Sequence, residues 1–326
     1  MSRQDDLVTQ LLGGERTLRR REVARSVGVS LLSARKLWRA LGFPGVADEA
    51  QVFTETDRDA LARVVQLVRE DVVDEETAIA CARALGQSTD RLVSWQTEAL
   101  LEYLNARRAR EGGQLDPFPV IERLTQDLEQ LLVYAFRRQL AAAVSRMDGI
   151  GADPEAVMTV GFADLVSYTR LSRRLAQRDL GRLVQRFEGL ASDIITAGGG
   201  RVVKTVGDEV LFVADNPVAG AVIALSLSEQ LGADDLLPEV RVGLAHGPVL
   251  RSLGDVYGDT VNLASRLTSI AQPGAVLTDP VTARELQTEP EIVLVVQRRR
   301  PIRGFGQLQP VLIAPAPGTI QLIRVE

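Results

Sequence analysis

Lysine is almost missing from this chain. Of 38 basic residues only Lys36 and Lys204 are lysines, so nearly every positive charge is an arginine. Cysteine is scarcer still: Cys81 stands alone, which excludes an intramolecular disulfide and suits a reducing compartment. The one histidine, His246, lies in the C-terminal half, so no histidine in the N-terminal half can act as a pH sensor. No apolar run approaches the roughly 18 residues that a membrane span needs. The opening "MSRQDDLVTQLLGG" lacks the apolar core of a secretion signal. The net charge of −5 argues against a protein whose overall field draws it to nucleic acid or an anionic membrane. These absences predict a soluble, cytoplasmic protein.

What is present is enough apolar material for a sizeable core: 326 residues, 45 % hydrophobic, a length that suggests two domains. Two breaks stand out, "RAREGGQLDPFP" (108–119) and "MDGIGADPE" (147–155). Upstream of the second the pattern is helical throughout; downstream, short Val/Ile/Leu runs alternate with amphipathic segments. The expected division is a helical domain over 1–148, a linker over 149–156 and an α+β domain over 157–326.

Within the second domain, "AVMTVGFADL" (156–165) reads as a strand. The next segment places Leu175, Leu180, Leu183, Val184, Phe187, Leu190 and Ile194 at helical spacing and is stopped by Gly198, Gly199 and Gly200. "VVKTVGDEVLF" (202–212) follows as two strands joined at Val206–Glu209. A helix over 218–231, a strand pair in "VRVGLAHGPVLRSLG", a helix in "TVNLASRLTSIA" and a strand-rich tail complete the order. A β-α-β-β-α-β sequence of this kind is the ferredoxin-like split unit, an antiparallel sheet backed by helices.

Two acids fall where a ligand reaches them, Asp164 at the end of the first strand and Asp208 in the hairpin turn. In a ferredoxin-like sheet these elements are neighbours, and paired carboxylates suit hard cations such as Mg²⁺ whose shell is completed by substrate phosphates. Two metals there would activate a hydroxyl and steady a phosphate. Taken singly, Asp164 also reads as a helix cap and Asp208 as a turn former. "GDVYGDTVNLASRL" (254–267) adds Asp255, and Asn262 and Arg266 four apart on one helix face. Lys204 is a compact point-charge donor where arginine would bring a planar fork. With an acceptor such as Asp255 it matches adenine, which shows a ring-nitrogen acceptor beside an amine donor; guanine reverses that order and leaves polar groups unpaired.

"VGFADLVSYTRLS", "GGRVVKTVGDEVLF", "VRVGLAHGPV" and "GDVYGDTVNLASRL" together resemble the catalytic domain of class III nucleotidyl cyclases, over about residues 157–314. The resemblance implies an adenylate cyclase making cyclic AMP and pyrophosphate from ATP, working as a homodimer with two sites at the subunit interface. It implies two metal ions per site, Mg²⁺ or Mn²⁺, held by Asp164, Asp208 and the Leu165 carbonyl. Lys204 and Asp255 match the adenine-selecting pair; Asn262 would orient the ribose and Arg266 would stabilise charge on the reacting phosphate. Where the family usually carries a triphosphate-binding lysine, "PIRGFG" offers Arg303, a departure that keeps the charge but changes the grip. "VGDEV" also resembles the turn of diguanylate cyclases, but Val206 stands where that signature has its first glycine.

In the helical half, "LRRREVARSVGVSLLSARKLWRALGFP" (18–44) resembles the helix-turn-helix opening of MerR-type regulators, with Gly28 at the turn. Its arginines suit phosphates, yet "LLSARKLWRALG" is mostly apolar, so a packing module is the favoured reading and DNA is not the expected partner. The N-terminal half as a whole resembles the regulatory domain of cytosolic actinobacterial cyclases, which implies dimerisation through both domains and control of catalysis. The segment 120–147 places Ile121, Leu124, Leu128, Leu131, Leu132 and Tyr134 at core spacing. It reads either as a core helix of one subunit or as a helix running along a partner.

Overall fold

The computed structural model describes residues 3–43, 45, 47–111, 116–145, 155–252, 254–317 and 322–325. The chain divides into two compact units, Met1–Ile150 and Gly151–Glu326. Residues 149–154 of the expected linker lie outside the described residues, as do 112–115 of the earlier break.

The first unit is built from α1 (Arg3–Leu11), α2 (Arg20–Val27), α3 (Leu31–Ala40), α4 (Glu55–Arg69), α5 (Glu75–Glu111) and α6 (Phe118–Ser145). A minimal antiparallel pair, β1 (Leu18–Arg19) with β2 (Gln51–Phe53), joins the helices. Its core gathers Val23, Ala24, Ala34, Leu37, Trp38, Phe53 and Leu61, with Trp38 and Phe53 ring centroids 4.5 Å apart. Thr54 starts α4 through a reciprocal capping box with Asp57. α6 behaves differently: none of its residues is buried, and Leu131, Leu132 and Tyr134 are exposed. Within this single chain it is not a core helix.

The second unit runs β3 (Glu155–Leu165), α7 (Tyr168–Ser172), α8 (Gln177–Ala197), β4 (Arg201–Val206), β5 (Glu209–Ala214), α9 (Pro217–Gly232), β6 (Val240–Ser252), β7 (Asp255–Tyr257) and α10 (Asp259–Ile270). β8 (Val276–Thr278), α11 (Pro280–Glu285), β9 (Ile292–Val296), β10 (Arg300–Ile302), β11 (Gly306–Leu308) and β12 (Val311–Pro315) follow. The main sheet has the order β4-β5-β3-β6-β8-β12-β9, with β7 paired to β6. Its first four strands are mutually antiparallel, which is the ferredoxin-like arrangement, and the chain is α+β as expected.

Strand alternation divides the core between the two faces. Val210, Phe212 and Ala214 of β5 pack with Phe187, Ile194 and Ile195 of α8 and Ile223 and Leu227 of α9. Leu211 and Val213 join Val160 and Phe162 of β3 and Ala264 of α10 on the other face. The stretch 240–254, expected to hold a strand pair, is instead one strand, β6, unbroken to Ser252 and paired there with β7. β8 pairs with Val242–Leu244 and β7 with Leu250–Ser252, so between them, among the described residues, one side of β6 has no ladder neighbour and Pro248 is tolerated as on an edge.

α10 lies unusually close to the sheet. A Cβ at Gly243 would come within 2.2 Å of the Thr268 backbone nitrogen and 2.4 Å of the Ala264 carbonyl oxygen. Thr268 Oγ1 adds a buried tie, donating to the Ala264 carbonyl at 2.9 Å, with the Phe162 carbonyl at 3.3 Å. Glycine at 243 therefore sets the height of the helix that carries Asn262 and Arg266. Gly243→Ala is expected to destabilise the second unit by about 2 kcal/mol or more, because backbone rather than a flexible side chain must yield. Denaturant midpoints of the two proteins measure it.

Candidate active site

The acid pair is assembled by the central strand. Asp164 is the penultimate residue of β3, opposite Glu209 of β5 on one side and Arg241 of β6 on the other. Asp208 occupies a two-residue turn whose first position, Gly207, has φ +65°, the left-handed conformation of a type II′ hairpin. The Leu165 N–H donates to the Asp208 carbonyl at 2.9 Å, fastening the turn to the end of β3. The Leu165 side chain is buried in the core, so only its backbone is free to serve a ligand.

The electrostatics of this corner are unbalanced. Burial raises the Asp208 carboxyl above its usual range; a hydrogen bond to Asp164 and that residue's charge add to the rise, against its own backbone amide and Arg241. Glu209 is pushed up to about 7, first by burial and then by the charges of Asp164 and Asp208. Arg241 is the nearest compensation: Nε donates to Asp164 Oδ2 at 2.7 Å and Nη2 lies 2.5 Å from the same oxygen. Its Nη1 also donates to the Ser269 carbonyl at the C-terminal end of α10 at 3.1 Å, a favourable place for a cation.

Close carboxylates with one shared cation favour a further positive charge. Among the described residues, no three His, Cys, Asp or Glu side chains form a ready-made metal cage. Two carboxylates and a backbone carbonyl are instead the sparse oxygen set that suits Mg²⁺ or Mn²⁺, which keep waters and accept phosphate oxygens to complete their shells. The residues present fit such ions.

A second cluster lies at the β4–β7 edge. Lys204 Nζ is 2.5 Å from Asp255 Oδ2, and the two side chains are 40 % and 22 % exposed. Burial opposes ionisation of Asp255. Lys204, the Val256 N–H and the Tyr257 hydroxyl overcome it and hold the carboxyl below its usual range. The ammonium retains two unused N–H groups and the carboxylate retains lone pairs, so the pair presents a donor beside an acceptor. Asn262 and Arg266 are exposed on α10, with no side-chain partner among the described residues. Arg303 is exposed in the turn between β10 and β11, whose Ile302 and Leu308 pack inward.

The structure thus joins Asp164 with Asp208, and Lys204 with Asp255, while Asn262, Arg266 and Arg303 are not joined to either pair. Sequence reasoning did not single out Arg241 or Glu209. The available signal was a lone arginine inside the apolar alternation of "VRVGL".

The βαββαβ order with this acid corner and α10 beside it is the architecture of a class III cyclase domain. Residues 151–314 match the adenylate and guanylate cyclase catalytic domain family, and the chain belongs to that family. It is 49 % identical over 331 residues to the adenylate cyclase of Glutamicibacter nicotianae, covering 96 % of this chain and 82 % of that one. It is 42 % identical over 340 residues to the adenylate cyclase of Streptomyces coelicolor, covering 94 % and 88 %. Among solved structures, the adenylyl cyclase CyaB from P. aeruginosa is similar over 51 % of this chain and 98 % of that one, at 24 % identity and TM-score 0.44.

Replacing Arg241 with alanine removes the one cation paired with Asp164 among the described residues. In metal-free buffer Arg241→Ala is expected to lose about 1–3 kcal/mol of stability, the cost of stranding a largely buried charged acceptor. Millimolar Mn²⁺ should recover much of that loss, because the cation takes over the same charge. Unfolding midpoints with and without Mn²⁺ check both parts; a Mn²⁺-independent deficit would argue against a cation at this corner.

Proposed function

We propose that this chain is an adenylate cyclase that converts ATP to 3′,5′-cyclic AMP and pyrophosphate, as a homodimer whose two sites each combine residues of both subunits. The observation that carries the substrate is the Lys204–Asp255 pair. An ammonium and a carboxylate side by side on a half-open edge offer a donor to an adenine ring nitrogen and an acceptor to its amine. Guanine would set acceptor against acceptor and donor against donor, and unpaired polar groups are a costly mismatch. The adenylate cyclases to which the chain is similar along most of its length support the same substrate.

In this reading the ribose 3′-oxygen forms a bond to the α-phosphorus as the bond to the β-phosphate oxygen breaks; the hydroxyl proton passes to solvent and pyrophosphate leaves. No protein nucleophile is required, and the residues act by positioning and by stabilising charge. Asn262 orients the ribose, Arg266 meets the charge developing on the α-phosphate, and Arg303 grips the triphosphate. Asp164, Asp208 and the Leu165 carbonyl hold two divalent cations, Mg²⁺ or Mn²⁺, which when bound supply Lewis-acid charge to the hydroxyl and phosphates. Arg241 pairs with Asp164 and ties it to the end of α10.

The exposure of Asn262 and Arg266, apart from the acid pair, supports a site completed by a second copy. So does α6, where Val133, Phe136, Leu140 and Val144 recur at helical spacing and are all exposed. We assign residues 1–148 to dimerisation and control, and 157–326 to catalysis. A partner helix along α6 would link the state of the first unit to the second through the short segment after Ser145. Among the described residues no helix is long and apolar enough to cross a membrane; a cytoplasmic location is part of the proposed reading.

Two experiments test this. Lys204→Glu combined with Asp255→Cys is expected to lower the ATP-to-GTP ratio of kcat/KM by about 100-fold or more; active enzyme with an unchanged ratio would discredit the base-reading pair. Asp208→Ala and Arg266→Ala are each expected to be inactive alone. Mixed in equal amounts and allowed to exchange subunits, they should regain about one quarter of wild-type activity, because half the dimers are mixed and each contains one intact site. Persistent silence in mixed dimers confirmed by mass would place the two residues in one subunit's site.

A further inference from the structure

The helical unit carries a charge asymmetry that catalysis does not use. Residues 18–44 hold seven Lys and Arg against one acid, Glu22, in a chain whose net charge is −5. This segment forms two helices joined by a three-residue turn, α2 to Val27 and α3 from Leu31. Gly28 takes φ +74° and closes the end of α2, its N–H donating to the Arg25 carbonyl at 3.1 Å. Ser30 caps α3 by accepting from the Ser33 N–H at 3.0 Å. The spacing is that of a helix-turn-helix.

What α3 shows to solvent decides its use. Ala34, Leu37, Trp38 and Ala40 are buried and share a core with Val23 and Ala24 of α2. Lys36 and Arg39 are exposed, Arg35 is half-buried, and Leu32 is the one exposed apolar side chain of this helix. The apolar content that makes the segment look like a packing module is therefore on the inside face. On α2, Arg21 and Arg25 are exposed.

The positive charge is loosely partnered, with Arg19 3.9 Å from both Glu22 and Glu49. Arg20, Arg21 and Arg35 converge on a single carboxylate, Asp48, at 3.4, 3.2 and 2.5 Å. Their interaction holds that acid below its usual range, with the Arg35 hydrogen bond the largest contribution. The Nε atoms of Arg19, Arg20 and Arg35 are buried without a hydrogen-bond partner among the described residues. Lys36 lies 3.6 Å from Glu75 in an exposed pair that salt screens readily.

We propose that α2 and α3 form a binding head for duplex DNA, with α3 in the major groove presenting Arg35, Lys36 and Arg39, and with Arg19, Arg21 and Arg25 meeting phosphates. A ten-residue helix is about 15 Å long and fits a groove about 12 Å wide. Double-stranded RNA closes its major groove to a helix, so it is disfavoured. A membrane surface is disfavoured because the apolar face of α3 is already spent in the core.

The test uses the full-length chain and a labelled mixed-sequence duplex, with anisotropy read across a salt series. Binding is expected to weaken with salt along a log–log slope of about −3 or steeper. Lys36→Glu with Arg39→Glu should weaken binding by about 100-fold and flatten the slope by about two, since each removed contact contributes about one. Unfolding midpoint and nucleotide cyclisation should not change. The milder pair Lys36→Gln and Arg39→Gln should show an intermediate loss and guards against misfolding of the reversal variant. Absence of binding by the wild type at low salt overturns the proposal, as do undiminished binding by both variants and equal affinity for duplex RNA or anionic vesicles.

Discussion

The register of β3 is the constraint on which the rest of the second unit depends. One strand is paired on both sides, with Asp164 opposite Glu209 of β5 and opposite Arg241 of β6. A slip of one residue would turn every side chain to the other face of the sheet. It would also part Asp164 from its guanidinium and carry it away from the turn that holds Asp208. Phe162, two residues earlier, lends its carbonyl to Thr268 and so ties α10 to the same strand. The acid corner and the helix of Asn262 and Arg266 are therefore placed by one piece of backbone.

That placement leaves the charge unfinished. Asp164, Asp208 and Glu209 crowd one corner where Arg241 is the compensating cation, and burial pushes the latter two towards protonation. Elsewhere on the same unit Arg266 and Arg303 stand exposed. Largely buried negative charge at one place and exposed positive charge at another is the arrangement that the proposed dimer and its polyphosphate site would use. Stability and chemistry pull in opposite directions here, since the acids that destabilise the isolated corner are those that make it attractive to metal.

The elements that could be read from the sequence were those with a clean period. The helix carrying Leu183, Phe187 and Ile194 repeats at three to four residues. The hairpin around Gly207-Asp208 combines alternation with a residue free to adopt positive φ. Arg241 was not legible in the same way, because its partner lies 77 residues earlier and only strand register brings them together. The stretch 240–254 was expected to hold a strand pair, because the sequence does not reveal that Pro248 falls where one side of β6 has no described neighbour. The apolar spacing of 120–147 correctly marked a helix face but could not say what covers it, since a helix reads the same whether it packs within one chain or against another. In "LLSARKLWRALG" the apolar residues do pack, as their number suggested, but a count does not give the face on which each falls: Leu37 and Trp38 are buried while Lys36 and Arg39 lie outside.

The near-absence of lysine gives position 204 its meaning. An arginine beside Asp255 would present a planar fork matched to both carboxylate oxygens, and the bidentate pair would consume the acceptor that a base amine needs. The ammonium instead meets one oxygen, Oδ2, while Oδ1 accepts the Val256 N–H. Its remaining donors can turn towards a ring nitrogen without releasing the aspartate. Arg303 poses the opposite case: in its proposed role a grip on triphosphate would reward the fork, so a chain that favours arginine would lose nothing there. In the function proposed for this chain, the same physical difference would account for a lysine kept where a base edge is to be read and an arginine accepted where phosphate is to be held.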